Sequence, residues 1–152
     1  MITLRSVTSP DLPLTPVPPR TPARQRAQGG PTFYDQIGGE ATIRKITERF
    51  YEQVAEDPEF RAMYPEEDLG PAEERLRLFL IQYWGGPTTY SETRGHPRLR
   101  MRHQPYVIDP TARDTWLRFM RVALKEAELP PLLEATFWDY LERAAHSMVN
   151  TF

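Results

Sequence analysis

The sequence contains no cysteine. Disulfide bonds, cysteine-ligated zinc, iron–sulfur clusters and thiol nucleophiles are therefore excluded, and a bound metal would need ligands from His, Asp, Glu, Tyr or Met. Imidazoles are scarce as well, because the chain has three histidines, His96, His103 and His146. Chemistry that requires an imidazole must use one of these three.

Long apolar runs are also missing. No stretch approaches the roughly 20 apolar residues that cross a bilayer, and the N-terminus lacks a continuous apolar signal-peptide centre. We therefore expect no integral membrane segment and a cytoplasmic location. A length of 152 residues and a formal net charge of -2 predict one domain without a general attraction for nucleic acid.

Residues 1–31 differ in composition from the rest of the chain. They hold seven of the sixteen prolines, four arginines and one acidic residue, without hydrophobic periodicity. This composition predicts a disordered, Pro/Arg-rich extension. A solvated tail is the simpler interpretation, and a contact with the acidic domain or an anionic partner is the alternative. The folded domain is predicted over residues 32–152.

From residue 32 onward, apolar residues recur at helical spacing without strand-like alternation. The signals for helix starts and ends are, in chain order, Thr32, Gly38-Gly39, Asp57-Pro58, the WGGP stretch at 84–87, Asp109-Pro110 and Pro130-Pro131. They predict an all-α domain of about five helices, with residues 88–98 as a loop before a short helical piece that ends at His103. The last helix is predicted to bury Phe137 and Leu141 and to hold Tyr140 at the edge of that face.

Two acidic pairs, Glu66-Glu67 and Glu73-Glu74, raise the question of general acid–base catalysis. Both are predicted to lie at helix starts, where capping and the helix dipole explain them without catalysis. No G-x-S-x-G motif, P-loop or dinucleotide-binding glycine motif occurs in the sequence.

His103 is the histidine best placed for chemistry. It lies four residues after Leu99, so its ring can turn inward while Nδ1 donates to a nearby carbonyl and Nε2 remains free for a metal. We expect His96 and His146 to be loop and helix-surface residues. One imidazole is too few for zinc or non-haem iron, but it suffices for haem, because the porphyrin supplies four nitrogens.

Helical faces could form an apolar slot for such a cofactor. The residues concerned are Phe50, Tyr51, Leu76, Phe79, Tyr83, Trp116, Phe119 and Met120. The same spacing is typical of ordinary core packing, so the periodicity does not establish haem. The arginines at 94, 98, 100 and 102 favour a solvated face over phosphate binding. With haem present, these arginines or Arg75 and Arg77 could pair with its carboxylates.

Five segments, in order, resemble the group II truncated haemoglobins, especially those of actinobacteria. They are FYDQIGG, RFYEQVAEDPEFRAMYPEEDL, AEERLRLFLIQYWGGPTTYSETRGHPRLRMRH, RDTWLRFM and DYLERAAHSMVN. The resemblance extends over residues 33–152, and WGGP followed by RGHPRLRMRH is its most specific part. It implies a truncated globin, which is a two-over-two α-helical sandwich with a trimmed first helix. The resemblance does not cover the extension at residues 1–31.

The resemblance also implies a site. His103 would be the proximal ligand of the iron in haem b, and Tyr51, Tyr64 and Trp116 would line the distal side and stabilise bound O2 by donating hydrogen bonds. The remaining expected cofactor contacts are Ala72, Arg75, Leu76, Phe79, Tyr90, Arg100, Met101, Tyr106 and Phe119.

The implied function is reversible O2 binding at a pentacoordinate haem iron, with NO and CO as further ligands. Conversion of NO to nitrate or reduction of peroxide would need electrons from a separate reductase. The alternative is a haem-based gas or redox sensor that signals to a partner through the extension. A haem-free helical interaction module and self-association also remain open at this point.

Overall fold

The structure is a computed structural model that describes residues 30–152. In this range the chain forms α1 (Phe33–Ile37), α2 (Gly39–Glu56), α3 (Pro58–Arg61), α4 (Gly70–Tyr83), α5 (Thr89–Arg94), α6 (Leu99–His103), α7 (Pro110–Ala127) and α8 (Pro131–Met148). No strand occurs between residues 30 and 152, which confirms the all-helical prediction. None of these helices is long and apolar enough to cross a bilayer. The predicted disordered extension lies, apart from residues 30 and 31, outside the described residues.

The four long helices form two packed pairs. Helix α2 packs against α4, α7 packs against α8, and α2 also packs on α7. This is the two-over-two arrangement that the resemblance implies. Its core contains Ile46 and Phe50 of α2, Met120 and Leu124 of α7, and Phe137 of α8, all fully buried. Burial of each such side chain contributes about 1.5–3 kcal/mol relative to exposure.

Polar side chains cap the helices where the sequence predicts them. Thr32 Oγ1 accepts from the Asp35 N–H at 3.1 Å, and Asp35 Oδ2 accepts from the Thr32 N–H at 3.0 Å, which completes a capping box. Asp57 and Asp109 each accept from the backbone N–H three residues later, at 3.0 and 2.8 Å. These bonds satisfy N–H groups that a helix start leaves without a partner, which sets where α1, α3 and α7 begin.

Gly86 allows the close approach of α1 to the end of α4. A Cβ added at this position would lie 2.7 Å from Ile81 Cγ2 and 2.9 Å from Tyr34 Cε1. The neighbouring backbone is joined by a hydrogen bond of 2.9 Å from the Tyr34 N–H to the Trp84 carbonyl. A larger residue in place of Gly86 would push α1 away from α4.

The prediction of a loop over residues 88–98 is wrong in part, because helix α5 occupies Thr89–Arg94. The Gln82 side chain, on α4, donates to Ser91 Oγ at 2.8 Å and accepts from the Ser91 N–H at 2.9 Å. A helix this short is unstable alone. The glycines and prolines around it mark its ends correctly, but the stabilising partner on α4 is not visible in the local sequence.

The two acidic pairs have different roles. Glu73 lies in the first turn of α4, as predicted, and also accepts from Thr47 Oγ1 at 2.6 Å. Glu66 lies in the irregular stretch before α4 and accepts from Arg75 Nη2 at 2.7 Å. The prediction that Glu66 caps a helix is therefore wrong, because α4 begins only at Gly70.

Candidate functional site

A cavity of about 490 Å³ opens among the helices, and α2, α4, α6, α7 and α8 all contribute to its lining. Its volume falls within the range of roughly 300–1,000 Å³ that is typical of cofactor sites. Ten of the thirteen predicted site residues line it: Tyr51, Tyr64, Ala72, Arg75, Leu76, Phe79, Tyr90, His103, Tyr106 and Trp116. The fold therefore brings together residues that are far apart in the chain.

His103 lines the cavity from the C-terminal end of α6. Its Nδ1 lies 2.7 Å from the carbonyl oxygen of Leu99, one turn earlier. Because a carbonyl only accepts, the neutral ring must carry its proton on Nδ1, and Nε2 keeps a free lone pair. His103 can therefore donate one nitrogen lone pair to a metal in the cavity. His96 and His146 do not line it.

Two side chains hold the segment that carries His103. The Arg102 guanidinium donates to the carbonyls of Pro97 at 2.6 Å, Arg94 at 2.8 Å and His96 at 3.1 Å. From the C-terminal end of the chain, Asn150 Nδ2 donates to the carbonyl of His103 at 3.3 Å. These bonds fix the backbone on both sides of α6 and so limit where the imidazole can lie.

Arg100 and Met101 do not line the cavity, contrary to the prediction. The lining residues of this segment are Leu99, Arg102, His103 and Tyr106. Their spacing of three and four residues defines one helical face, and positions 100 and 101 lie about 100° and 200° around the helix from Leu99. Met101 is accordingly 52% exposed. The spacing alone places both residues away from this face.

Phe119 is also absent from the cavity lining, although it lies one turn after Trp116 on α7. Its ring packs edge-on against Phe60 at 5.6 Å and Phe50 at 6.2 Å between centroids. It is 6% exposed. Phe119 therefore belongs to the core that supports the cavity wall.

Tyr51, Tyr64 and Trp116 form a group of hydrogen-bond donors on the cavity lining, which we call the donor cluster. The rings of Tyr51 and Tyr64 meet edge to face with centroids 5.6 Å apart. Phe50 packs against both Tyr51, at 4.9 Å, and Trp116, at 5.5 Å. A buried core residue thus sets the relative positions of two donors that lie on different helices.

Both phenols of the donor cluster keep their protons far above neutral pH. Burial raises the pKa of Tyr64 to about 12. Burial also raises the pKa of Tyr51 well above its usual value, with a smaller contribution from the neighbouring Tyr64 phenol. Each remains an O–H donor rather than a phenolate, as a ligand with partial negative charge requires.

Arg61 holds the chain segment that carries Tyr64. Its guanidinium donates to the carbonyls of Tyr64 at 3.1 Å, Glu66 at 2.7 Å and Glu67 at 2.8 Å. This segment has no regular hydrogen-bond ladder of its own. Arg61 therefore compensates for the missing secondary structure and positions the Tyr64 phenol.

Arg75 and Glu66 form an ion pair on the cavity lining, with 2.7 Å between Arg75 Nη2 and Glu66 Oε2. Both side chains are partly exposed, at 36% and 29%. The second carboxylate oxygen, Glu66 Oε1, is buried and has no hydrogen-bond partner among the described residues. A buried, unpaired carboxylate oxygen is costly, so this corner of the cavity favours an additional polar group.

Sequence reasoning missed part of the lining. Glu66, Met63, Arg113 and several residues of α8, including Tyr140, Ala144 and Met148, also line the cavity. The signal for α8 was available, since the same face was predicted to be buried. Tyr140 was expected at the edge of that face, but it is 2% exposed.

The cavity residues fit haem. His103 Nε2 would be available to the iron, and the porphyrin would supply four further nitrogens. Leu76 and Phe79 of α4 and Ala144 of α8 give apolar surface for the macrocycle. Arg75 and Arg113 supply cationic groups for its carboxylates.

Comparison with known proteins agrees with this fit. Residues 32–150 match a family model described as bacterial-like globin. The chain is 37% identical over 117 residues to the group 2 truncated hemoglobin YjbI of Bacillus subtilis, which covers 77% of this chain and 87% of that protein. The region matched by the family model, residues 32–150, includes every helix from α1 to α8.

Solved structures show the same relation. A thermostable hemoglobin from the actinobacterium Thermobifida fusca is 64% identical, with a TM-score of 0.77, over 78% of this chain and 97% of that chain. A hemoglobin from the thermophilic phototrophic bacterium Chloroflexus aurantiacus is 53% identical, with a TM-score of 0.77, over 80% of this chain and 99% of that chain. The arrangement of helices around the cavity is therefore shared with proteins of known structure.

Proposed function

The chain belongs to the bacterial-like globin family, as a group II truncated haemoglobin, and from this premise we propose that it binds haem b in its cavity and retains O2 there for redox turnover. Family membership implies a haem cofactor and a diatomic gas ligand. Two parts of the proposal go beyond family membership. They are that the haem is haem b and that the bound gas takes part in redox turnover. NO and CO are expected to compete for the same position.

The observation that carries this proposal is the hydrogen bond of His103 Nδ1. The 2.7 Å contact of Nδ1 with the Leu99 carbonyl leaves Nε2 as a lone-pair donor on the cavity lining. The same contact restricts rotation of the ring and makes Nε2 more electron-rich. His103 would therefore hold the cofactor, while Arg102 and Asn150 keep its backbone in place.

The donor cluster would decide how long the ligand stays. Haem, when bound, supplies the iron that holds the gas and exchanges electrons with it. Tyr51, Tyr64 and Trp116 would offer their O–H and N–H donors to a gas ligand that carries partial negative charge, and the Tyr51 and Tyr64 phenols are also hydrogen-bonded to each other. A site whose donors are held in place in this way should release O2 slowly, and slow release suits turnover better than transport.

Two redox reactions agree with this site, namely oxidation of NO to nitrate and reduction of peroxide. Both need a retained oxygen species and a supply of electrons. The phenols of Tyr51 and Tyr64 stay protonated at neutral pH and can also supply hydrogen bonds to peroxide. An external electron donor is part of the proposal.

Absorption spectroscopy of His103→Ala beside His146→Ala tests the proposal. The two histidines form a matched pair, because Nδ1 of each contacts the carbonyl four residues earlier, at 2.7 Å for His103 and 2.8 Å for His146. Only His103 lines the cavity. After haem is added, wild type and His146→Ala should show a Soret band that shifts on reduction and again on exposure to O2.

His103→Ala should lose iron ligation, and added imidazole should restore the spectrum. If His103→Ala bound O2 with the wild-type spectrum, the proposed role of His103 would be wrong. If wild type took up no haem, the haem proposal itself would fail, and the haem-free helical module would be favoured.

A further inference from the structure

Tyr140 and Tyr83 connect the cavity to the outside of the protein through two stacked rings. Their centroids lie 4.0 Å apart, and their planes are inclined by 21°. Tyr140 lines the cavity and is 2% exposed, whereas Tyr83, at the end of α4, is partly exposed. Two residues of two different helices thus cover the whole distance from the cavity wall to the protein surface.

The surroundings of Tyr83 are charged and open. Asp139 and Arg143 of α8 form an ion pair of 2.9 Å, with side chains 64% and 48% exposed. They are also the charged groups that act on the Tyr83 phenol. A tyrosine that gives up an electron must release its phenolic proton, and solvent at this partly exposed position can take it.

The other rings around the pair favour electron movement between the protein surface and the cavity. Trp84 packs against Tyr83 at 4.8 Å and Tyr140 at 5.7 Å, so a second oxidisable ring adjoins both members of the pair. Tyr51 and Tyr64 pack against each other at 5.6 Å and against Phe50 and Phe60, which are much harder to oxidise. Tyr106 lines the cavity and is itself 40% exposed, whereas the Tyr140–Tyr83 pair joins a buried lining residue to the outside through a stacked contact.

We propose that Tyr140 and Tyr83 conduct single electrons from the surface to the cavity, and that Tyr83 is the site at which small phenolic or enediol reductants supply them during peroxide reduction. This inference rests on the proposed haem-dependent function. It assigns the external electron donor a place on the molecule, at the surface formed by Tyr83, Asp139 and Arg143.

The electrons and atoms balance with ascorbate as the reductant. Hydrogen peroxide takes up two electrons and two protons and leaves as two water molecules. Each electron comes from Tyr83 through the Tyr140 ring, while the Tyr83 phenolic proton passes to water. Tyr83 is then a neutral radical, and one ascorbate anion restores it by donating an electron and a proton. Two ascorbate anions are converted to two ascorbyl radical anions for each peroxide.

The test uses the haem-loaded protein and the variants Tyr83→Phe and Tyr140→Phe, which keep both rings but remove the phenolic O–H. Tyr34→Phe is the matched control, since Tyr34, like Tyr83, is partly exposed and lies outside the cavity lining, but only Tyr83 of the two stacks on the lining residue Tyr140. The O2 spectrum of each variant is recorded first. Peroxide is then added, the radical is examined by electron paramagnetic resonance and spin trapping with mass spectrometry, and the return of the haem spectrum with ascorbate is timed.

We expect the spin trap to label Tyr83 in wild type and in Tyr34→Phe, and to lose this label in Tyr83→Phe. After ascorbate is added, the haem spectrum should return about tenfold more slowly in Tyr83→Phe and in Tyr140→Phe than in wild type. Because the residues act in series, the double variant should be no slower than the slower single variant.

Two results would overturn the inference while leaving the proposed function intact. One is a normal O2 spectrum in all variants together with a wild-type rate of return in Tyr83→Phe, which would mean that ascorbate reaches the cavity directly. The other is labelling of wild type at residues other than Tyr83 and Tyr140. Failure of wild type to bind haem or O2 would instead overturn the proposed function and this inference together.

Discussion

At the scale of single residues, the members of the donor cluster are held by different means. Trp116 projects from the regular helix α7 and packs edge-on against Phe50 at 5.5 Å. Tyr64 lies in an irregular segment and depends on the backbone contacts of Arg61. The indole N–H can only donate, whereas a phenol can also accept. Trp116 is therefore the member of the cluster whose hydrogen-bonding role is least ambiguous.

Replacement of Trp116 by phenylalanine should speed the release of O2. The substitution keeps an aromatic ring next to Phe50 but removes the N–H donor. Loss of a hydrogen bond of about 1–3 kcal/mol corresponds to an O2 dissociation rate raised about tenfold to a hundredfold. Stopped-flow measurement of O2 dissociation from the reduced protein would show the change.

Trp138→Phe is the control for this experiment. Trp138 packs under the Arg121 guanidinium at 4.6 Å and does not line the cavity, so its replacement should leave O2 dissociation unchanged. An O2 dissociation rate of Trp116→Phe within a factor of two of wild type would show that the indole is not a donor to the ligand.

At the scale of elements, α6 is the part of the site that depends on contacts from other segments for its stability. It has five residues, and a helix of this length is unstable in isolation. Its position depends on Arg102 from within the segment and on Asn150 from the C-terminal end of the chain. Asn150 Nδ2 donates to the carbonyls of His103 at 3.3 Å and Tyr106 at 3.0 Å, and Asn150 Oδ1 accepts from the Ile108 N–H at 2.9 Å.

Asn150→Ala should therefore weaken the hold of the protein on its cofactor. Three of the four lost side-chain hydrogen bonds act on the backbone between His103 and Ile108, and each contributes about 0.5–1.5 kcal/mol. We expect haem to pass to an excess of an acceptor apoglobin about tenfold faster than from wild type.

Ser147→Ala provides the comparison, because it removes a hydrogen bond of 2.7 Å to the Ala144 carbonyl that lies entirely within α8. Equal rates of haem loss from Asn150→Ala and Ser147→Ala would refute the positioning role of Asn150.

At the scale of the whole molecule, buried phenols make the stability of the fold depend on pH in the alkaline range. Burial raises the pKa of Tyr64 and that of Tyr83 to about 12, and it also raises the pKa of Tyr140. The chain has two lysines among its nineteen cationic residues, and the arginines keep their charge at high pH. Alkaline effects on stability should therefore come mainly from tyrosine.

The free energy of unfolding should decrease as the pH rises from 10 to 12. In this interval the unfolded chain releases phenolic protons, because tyrosine ordinarily has a pKa near 10, while the folded protein retains them. For Tyr64 the loss amounts to about 2 kcal/mol when the pH reaches 12. Urea unfolding at several pH values between 8 and 12 would measure it.

Tyr64→Phe should show a smaller decrease, since phenylalanine has no proton to release. Trp116→Phe, which removes no titratable group, should follow wild type. If Tyr64→Phe and Trp116→Phe lost stability in parallel above pH 10, the buried phenol of Tyr64 would not be the source of the effect.

The sequence by itself determined the features that depend on neighbouring residues. The caps at Thr32, Asp57 and Asp109 lie where polar side chains and prolines predict them, since the contacts that start a helix span three residues. The orientation of His103 was also predictable, because its partner Leu99 lies one turn away. Motif resemblance then extended these local inferences to the family and to ten residues of the cavity lining.

Only the tertiary structure decided the features that join distant parts of the chain. Helix α5, predicted as loop, depends on contacts from α4. Burial of Tyr140 and its stacking on Tyr83 join α8 to α4, and Asn150 reaches back across 47 residues to His103. The energy of such contacts depends on the relative positions of whole helices, which local spacing does not specify. Periodicity identifies which face of a helix is buried, but the partner it meets is set by how the complete chain packs.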